Sequence, residues 1–371
     1  MVKDLPAMKK EDKLNSLFDF AKRSMLLTDY VAARQVRDET MEYLETSTER
    51  AMLDKLGVDF YYLSCRDISQ NECCLPFYKG PPLLLDESFR TCPFGIRWNR
   101  KVGDDKFGVD EAIEGPFAKE GITEKDILDY PWPKAEWFDF SVLSEECAKW
   151  TDKIIIGGLW SGIHGDSNRM MGYENFLLNI AMNRPLVKTL IDRMTGFYLE
   201  ANRRYFEVVK GKMDIFFMGN DFGTQTGLLM SEEDWKDLYY HNYKKLVDLA
   251  HNYGFKVMVH SCGAIESLLP HFISLGVDII DPVQITADGM DPEVLSAKYG
   301  SSIVFHGAID TQNMLPFGTQ ADVREHCREI MQKLNTGGNL IVAPSNNFMP
   351  GTPPVNIEEV YKTVKDYNCE I

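Results

Sequence analysis

Lys256-Val-Met-Val-His260 is a short apolar run that ends on a histidine, and the second half of this 371-residue chain repeats its form. Lys153-Ile-Ile-Ile-Gly157, Asp214-Ile-Phe-Phe-Met-Gly219, Val277-Asp-Ile-Ile-Asp281, Ser302-Ile-Val-Phe-His306 and Leu340-Ile-Val-Ala343 are built alike. Runs that are apolar throughout are what strands look like when both faces are covered, as in a parallel sheet wrapped by helices. The stretches between them carry helical periodicity. One starts at Ser231, with Asp234 as capping-box partner, and puts Trp235, Leu238, Tyr239, Leu246, Val247 and Ala250 on one side before a Gly254 stop. Thr319 to Leu334 repeats the logic with Asp322 in the capping position, and residues 173 to 209 form a third helical region broken near Pro185. Six β-then-α repeats, with a seventh strand at Val58-Asp-Phe-Tyr-Tyr-Leu63, predict an α/β fold of the TIM-like (β/α)8 barrel type.

The first 150 residues read differently. Ile96-Arg-Trp-Asn-Arg-Lys101 and Phe107-Gly-Val-Asp-Glu111, split by a Gly-Asp-Asp turn, predict a β-hairpin, and Asp129-Tyr-Pro-Trp-Pro-Lys134 is a stiff connector. Residues 1–150 are therefore expected to be a helical and hairpin elaboration packed on the barrel and not folding alone, with 151–371 forming its main part. Composition narrows the function classes. With 40 Lys plus Arg against 56 Asp plus Glu, the net charge is −16, which argues against a nucleic-acid surface. The absence of a long apolar run argues against a membrane span and for a cytoplasmic protein. The eight cysteines are too dilute for a disulfide framework and are expected to be mostly reduced and buried.

In a barrel, reacting groups come from the C-terminal ends of strands and the loops that follow. Here those points carry Asn220-Asp221, His260-Ser-Cys262, Asp281 with Gln284, His306 with Asp310, and Ser345-Asn-Asn347. His260 and Cys262 stand two residues apart at a strand end, so an imidazole and a thiolate share one side of an extended segment. A borderline-soft ion such as Zn2+ uses that pair, with further ligands from other strands. His306 reads either as a ligand or as an uncharged hydrogen-bonding group of the pocket. Asp281 reads either as a reacting group or as the cap of a turn before Pro282. His164, in a loop just after a strand, reads either as pocket lining or as plain loop. His241 and His251 read as a solvated helix face.

The stretches His260-Ser-Cys-Gly-Ala264, Ile279-Ile-Asp-Pro-Val-Gln284, Phe305-His-Gly-Ala-Ile-Asp-Thr-Gln312 and Gly337-Gly-Asn-Leu-Ile-Val-Ala-Pro344, closing on Pro353-Pro-Val-Asn356, resemble the uroporphyrinogen decarboxylase superfamily. Within it the likeness is to the cobalamin-dependent methyltransferase branch. Gly219-Asn-Asp-Phe-Gly-Thr-Gln225 and Gly172-Tyr-Glu-Asn-Phe176 are similar too, so the resemblance spans roughly residues 150 to 365. It implies a zinc held by the His-x-Cys motif, here His260 and Cys262, and by a later Cys. That Cys does not occur: the family's Gly-Cys-Gly type loop falls on Ser345-Asn-Asn347, with Asn346 where the thiolate would stand. The third ligand then has His306 and Asp221 as candidates.

The resemblance further implies that a methyl group moves between a small substrate and a methylcobalamin carried by a separate corrinoid protein. Asp221, Asp281 and His306 are the expected catalytic groups, and Gln225, Gln284, Asn346 and His164 the expected substrate contacts. The rivals are a decarboxylase and a metal-free barrel that only binds a ligand or partner. The decarboxylases resemble one another in an Arg-Gln-Ala-Gly-Arg type segment whose arginines hold tetrapyrrole carboxylates. Ala33-Arg-Gln-Val-Arg-Asp38 matches it loosely, with Val and no Gly, on a stretch that reads as helix.

Overall fold

The computed structural model describes residues 8–20, 25–32, 34–69, 72–99, 111–335 and 340–370. Its strands in chain order are β1 (Leu27–Thr28), β2 (Phe60–Tyr62), β3 (Phe89–Thr91), β4 (Arg97–Asn99), β5 (Glu111–Glu114), β6 (Ile154–Gly157), β7 (Ile215–Gly219), β8 (Lys256–His260), β9 (Ile279–Val283), β10 (Val304–Ile309) and β11 (Leu340–Pro344). Eight of them, in the order β1-β11-β10-β9-β8-β7-β6-β2, pair in parallel. The two ends of that order meet where the Asp59 N–H donates to the Thr28 carbonyl at 2.9 Å. The sheet is thus rolled into the expected (β/α)8 barrel, and two of its strands come from residues before 150.

Strand period divides the core into two shells. Leu27, Phe60, Ile154, Ile156, Ile215, Phe217, Met258, Ile279, Val304 and Ile341 fill the barrel interior, while their neighbours Ile155, Phe216, Val257, Val259, Ile280 and Phe305 pack outward under the helices. Fully burying one such side chain stabilises by about 1.5–3 kcal/mol. Leu17 of the helix Lys10–Leu17 joins the interior cluster. Lys10 pairs with Asp214 and Lys13 with Asp59, each at 2.6 Å, and both acids stand just before a strand. That helix therefore plugs the N-terminal end of the barrel and leaves the C-terminal end open.

The capping box of Thr319 and Asp322 is present on the helix Gln320–Leu334, and Pro185 opens the helix Arg184–Val209 after a break from Tyr173–Met182. The helix starting at Ser231 departs from its expected regularity. It runs as an α-turn over Glu232–Trp235, a π-helical turn over Lys236–Tyr240 and a further α-helix over His241–Asn252. The wider turn shifts the register so that Trp235, Leu238, Tyr239, Tyr243 and Leu246 are all buried. The predicted hairpin exists as β4 against β5 with Asn99 opposite Glu111, but the strand and turn residues read between 100 and 110 lie outside the described residues. So do Ala33 and Gly337 to Asn339, which carry part of the resemblance. Among the described residues no helix is long and apolar enough to cross a membrane.

Candidate functional site

Five interior apolar residues predict the site by strand period alone. Two residues beyond Leu27, Phe60, Met258, Ile279 and Val304, on the same face, stand Asp29, Tyr62, His260, Asp281 and His306. Since β8, β9 and β10 are neighbours and His260 lies in register with Asp281, these side chains form one polar layer above the apolar one. Above it opens a cavity of about 630 Å3, lined by His260, Asp281, His306 and Asn346 and walled by Tyr62, Trp160 and Phe217.

The layer is a continuous chain of contacts. Asp281 holds His260 Nδ1 at 2.6 Å with one oxygen and lies 2.6 Å from His306 Nδ1 with the other. The second contact is close but poorly aligned as a hydrogen bond. His306 Nε2 is 3.0 Å from Asp29, whose carboxylate also accepts from the Tyr62 hydroxyl at 2.5 Å. Burial would raise the Asp281 carboxyl, but His306 and His260 outweigh it and hold it well below the usual carboxylate range. Burial would equally lower His306, yet Asp281 and Asp29 push it up to about 9. His260 is raised well above its ordinary value against the same burial, through Asp221, Asp281 and Cys262. Asp221 is lowered, His260 and the Cys262 N–H overcoming the burial that works the other way. Imidazolium and carboxylate therefore alternate along His306, Asp281, His260 and Asp221.

The far side of His260 faces the rim of the mouth. Its Nε2 lies 3.2 Å from Asp221 Oδ1 and 3.4 Å from Cys262 Sγ. One donor atom from each of these three residues falls within 4.8 Å of the others, a set that could hold a metal ion. The loop is fixed by the Cys262 N–H donating to Asp221 at 2.9 Å and the Gly263 N–H donating to Gln284 at 3.0 Å. A Cβ on Gly263 would come within 2.6 Å of the Gly223 backbone, so a side chain there would push apart the two loops that carry Cys262 and Asp221. Asn346 Nδ2, in the loop after β11, approaches Cys262 Sγ at 3.8 Å.

The residues singled out from sequence thus separate into groups. His260, Asp281, His306 and Asn346 line the cavity, and Asp221 and Cys262 stand beside it. The two buried nitrogens of His306 face Asp281 and Asp29, which leaves none directed at the three-donor cluster. Gln225 and Gln284 contact one another at 3.2 Å and brace the loops, and neither lines the cavity. His164 is buried away from it, 2.7 Å from the Tyr239 hydroxyl, with burial pushing its pKa down to about 4. His241 is exposed, and the exposed His251 pairs with Asp278 at 2.9 Å. Asp29, Tyr62 and the cavity residue Arg66 were not legible as site residues. Asp29 follows the two-residue β1 and Tyr62 ends the three-residue β2, so both could have been found only from the period of a strand already placed.

The fold and this constellation define a (β/α)8 barrel with a polar, metal-capable site at its C-terminal mouth. The chain belongs to the uroporphyrinogen decarboxylase (URO-D) family, whose model matches residues 147–367. No curated protein matches its sequence. Among solved structures it resembles a methyltransferase from Methanosarcina mazei, at 14% identity and a TM-score of 0.63, covering 97% of this chain and 99% of that one. It also matches a catalytic module of the pneumococcal exo-beta-D-N-acetylglucosaminidase at 14% identity and a TM-score of 0.41, over 95% of this chain and 84% of that one.

Proposed function

We propose that this protein is a methyltransferase that moves a methyl group between a small substrate and a cobalamin carried by a separate corrinoid protein, with a zinc ion at the barrel mouth. The observation that carries the proposal is the convergence of His260 Nε2, Cys262 Sγ and Asp221 Oδ1 beside the cavity. One nitrogen, one sulfur and one carboxylate oxygen suit zinc, and three protein ligands are what catalytic sites use so that a further position stays open to substrate. A bound zinc supplies Lewis acidity that activates a thiol, an alcohol or a methyl-bearing oxygen.

The chain's own residues supply the rest. Asp281 on His260 Nδ1 fixes the ring so that Nε2 points at the other two donors, the carboxylate–histidine arrangement that metal sites rely on. His260 gives up its Nε2 proton on becoming a ligand. His306 anchors Asp281 from the other side, so it acts as a positioning residue, and Asp221 takes the place of the thiolate that Asn346 cannot provide. The Methanosarcina methyltransferase, built on the same fold over nearly its whole length, supports the choice of reaction. Tetrapyrrole decarboxylation has less support: Arg34 projects into solvent, and Arg37, which does line the cavity, is paired with Glu49 at 3.2 Å. Methylcobalamin mixed with the zinc-loaded protein and a panel of small thiols should lose its cobalt–methyl absorbance, and His260→Ala should slow that loss by at least about 100-fold. Equal loss with both proteins would refute the proposal and leave the barrel as a binding protein.

A further inference from the structure

The cavity contains a cation, Arg66, that no carboxylate among the described residues pairs with. Arg66 follows β2 and its loop is tied down where the Trp160 N–H donates to the Arg66 carbonyl at 2.7 Å. Its guanidinium carbon sits 4.4 Å from the Tyr62 ring centre and 5.6 Å from that of Phe217. Among the described residues it has neither an ion pair nor a side-chain hydrogen bond, and its buried Nη1 has no acceptor. The neighbouring acids are engaged elsewhere. Asp67 accepts from the Ser69 N–H at 3.0 Å, and Glu49 pairs with Arg37. Arg66 is half-buried, and its buried Nη1 without an acceptor calls for a reason, because buried polar groups are almost always satisfied.

We infer that Arg66 is the anchor for a carboxylate on the substrate, and that the cavity takes small, flat, apolar molecules carrying one carboxylate at one end. Aromatic contacts hold the guanidinium and leave donors free for a carboxylate in a bidentate fork. The body of such a molecule has a matching wall. Tyr62 and Phe217 lie 6.0 Å apart, and Trp160 lies 5.1 Å from both Phe217 and His260. Phe217 reaches both ends of the cavity, 5.6 Å from the guanidinium carbon and 6.3 Å from the His260 ring centre. A flat molecule lying along Phe217 would thus meet both Arg66 and His260, with its carboxylate on the guanidinium. The inference deepens the proposed function by naming a substrate class, and it rests on the cavity being the substrate site.

Benzoate and the isosteric neutral benzamide test it by titration calorimetry on the full chain. Wild type should prefer benzoate by about tenfold or more, and Arg66→Gln should cut that preference to within about twofold, the loss of a bidentate charge-assisted pair. Two readouts separate this role from a structural one. Arg66→Gln should melt at or above the wild-type temperature, since it removes an unpaired cation, and it should leave the affinity for the neutral benzamide within about twofold of wild type, since only the charge-assisted pair is lost. Should Arg66→Gln fail to fold, Arg66→Lys serves in its place and should retain only a small part of the preference. Equal binding of the two probes, no binding of either at millimolar concentration, a preference that survives Arg66→Gln, or an equal loss of benzoate and benzamide binding in Arg66→Gln would each overturn it. Methyl transfer is read from methylcobalamin without these probes, so failure of either idea leaves the other standing.

Discussion

Replacing Asp281 by Asn tests whether the polar layer is a working unit. The Asp281 carboxylate, on a side chain 11% exposed, lies 2.6 Å from a nitrogen of His260 and 2.6 Å from a nitrogen of His306. Removing one partner of a buried ion pair costs about 3–5 kcal/mol. The Asn carbonyl still accepts from one imidazole, which recovers about 1 kcal/mol, while its amide confronts the other ring. The expected loss is therefore about 2–4 kcal/mol, read as a lower urea midpoint at unchanged slope. Zinc affinity should fall by about 10–100-fold, because His260 loses the group that orients it. The pH profile gives a further check. The folded Asp281 carboxyl is depressed, so its stabilisation is present above the ordinary value of about 4 and is lost as pH falls. His306 is raised to about 9, so its contribution is full below about 6.5 and is lost as pH rises through 9. Wild type should gain most over Asp281→Asn between about pH 5 and 7 and lose that advantage on both sides. A urea midpoint and zinc affinity equal to wild type would refute the role assigned to this layer.

Asp221→Asn should lower turnover by about tenfold or more and weaken zinc binding, with only a small drop in melting temperature because the side chain is 58% exposed and the Asn oxygen can still accept from the Cys262 N–H; normal zinc binding would exclude it as a ligand. Asn346→Cys should tighten zinc binding by about tenfold or more in a metal competition assay, since Asn346 Nδ2 already stands 3.8 Å from Cys262 Sγ and a thiolate is the better ligand. No gain would mean that the loop cannot reach the ion. His164 is held neutral by burial, its pKa lowered to about 4, so its contribution to stability is present above about 6.5 and is lost as pH falls toward 4. Urea midpoints of His164→Gln, compared with wild type, should drop at neutral pH and converge as the buffer is acidified; a constant gap would contradict this.

The barrel was legible because its strands are apolar on both faces, and the strand ends then ordered the polar residues worth weighing. His260 and Cys262 could be paired from their spacing together with their place at a strand end and the family resemblance. Asp29 could not be seen, because β1 has only two residues and acquires its strand form by pairing with β11. Tyr62 lay in a strand already read, but its hydroxyl bonds to Asp29, so its part depends on a partner 33 residues away. Gln225 and Gln284 have the chemistry of substrate contacts, yet each turns toward the other's loop, a choice made by tertiary packing that spacing does not encode. The π-helical turn over Lys236–Tyr240 was hidden for the same reason. Burying Trp235, Tyr239 and Tyr243 together outweighs helical regularity, and only the assembled core sets that balance.

The most direct test adds zinc in steps to chelator-treated protein and follows the initial rate of methyl loss from methylcobalamin. In wild type the rate should rise and level off at about one equivalent per chain, and with Cys262→Ala it should stay flat over that range. A full rate before any zinc is added, or the same rise in Cys262→Ala, would contradict a reaction that depends on an ion held by His260, Cys262 and Asp221.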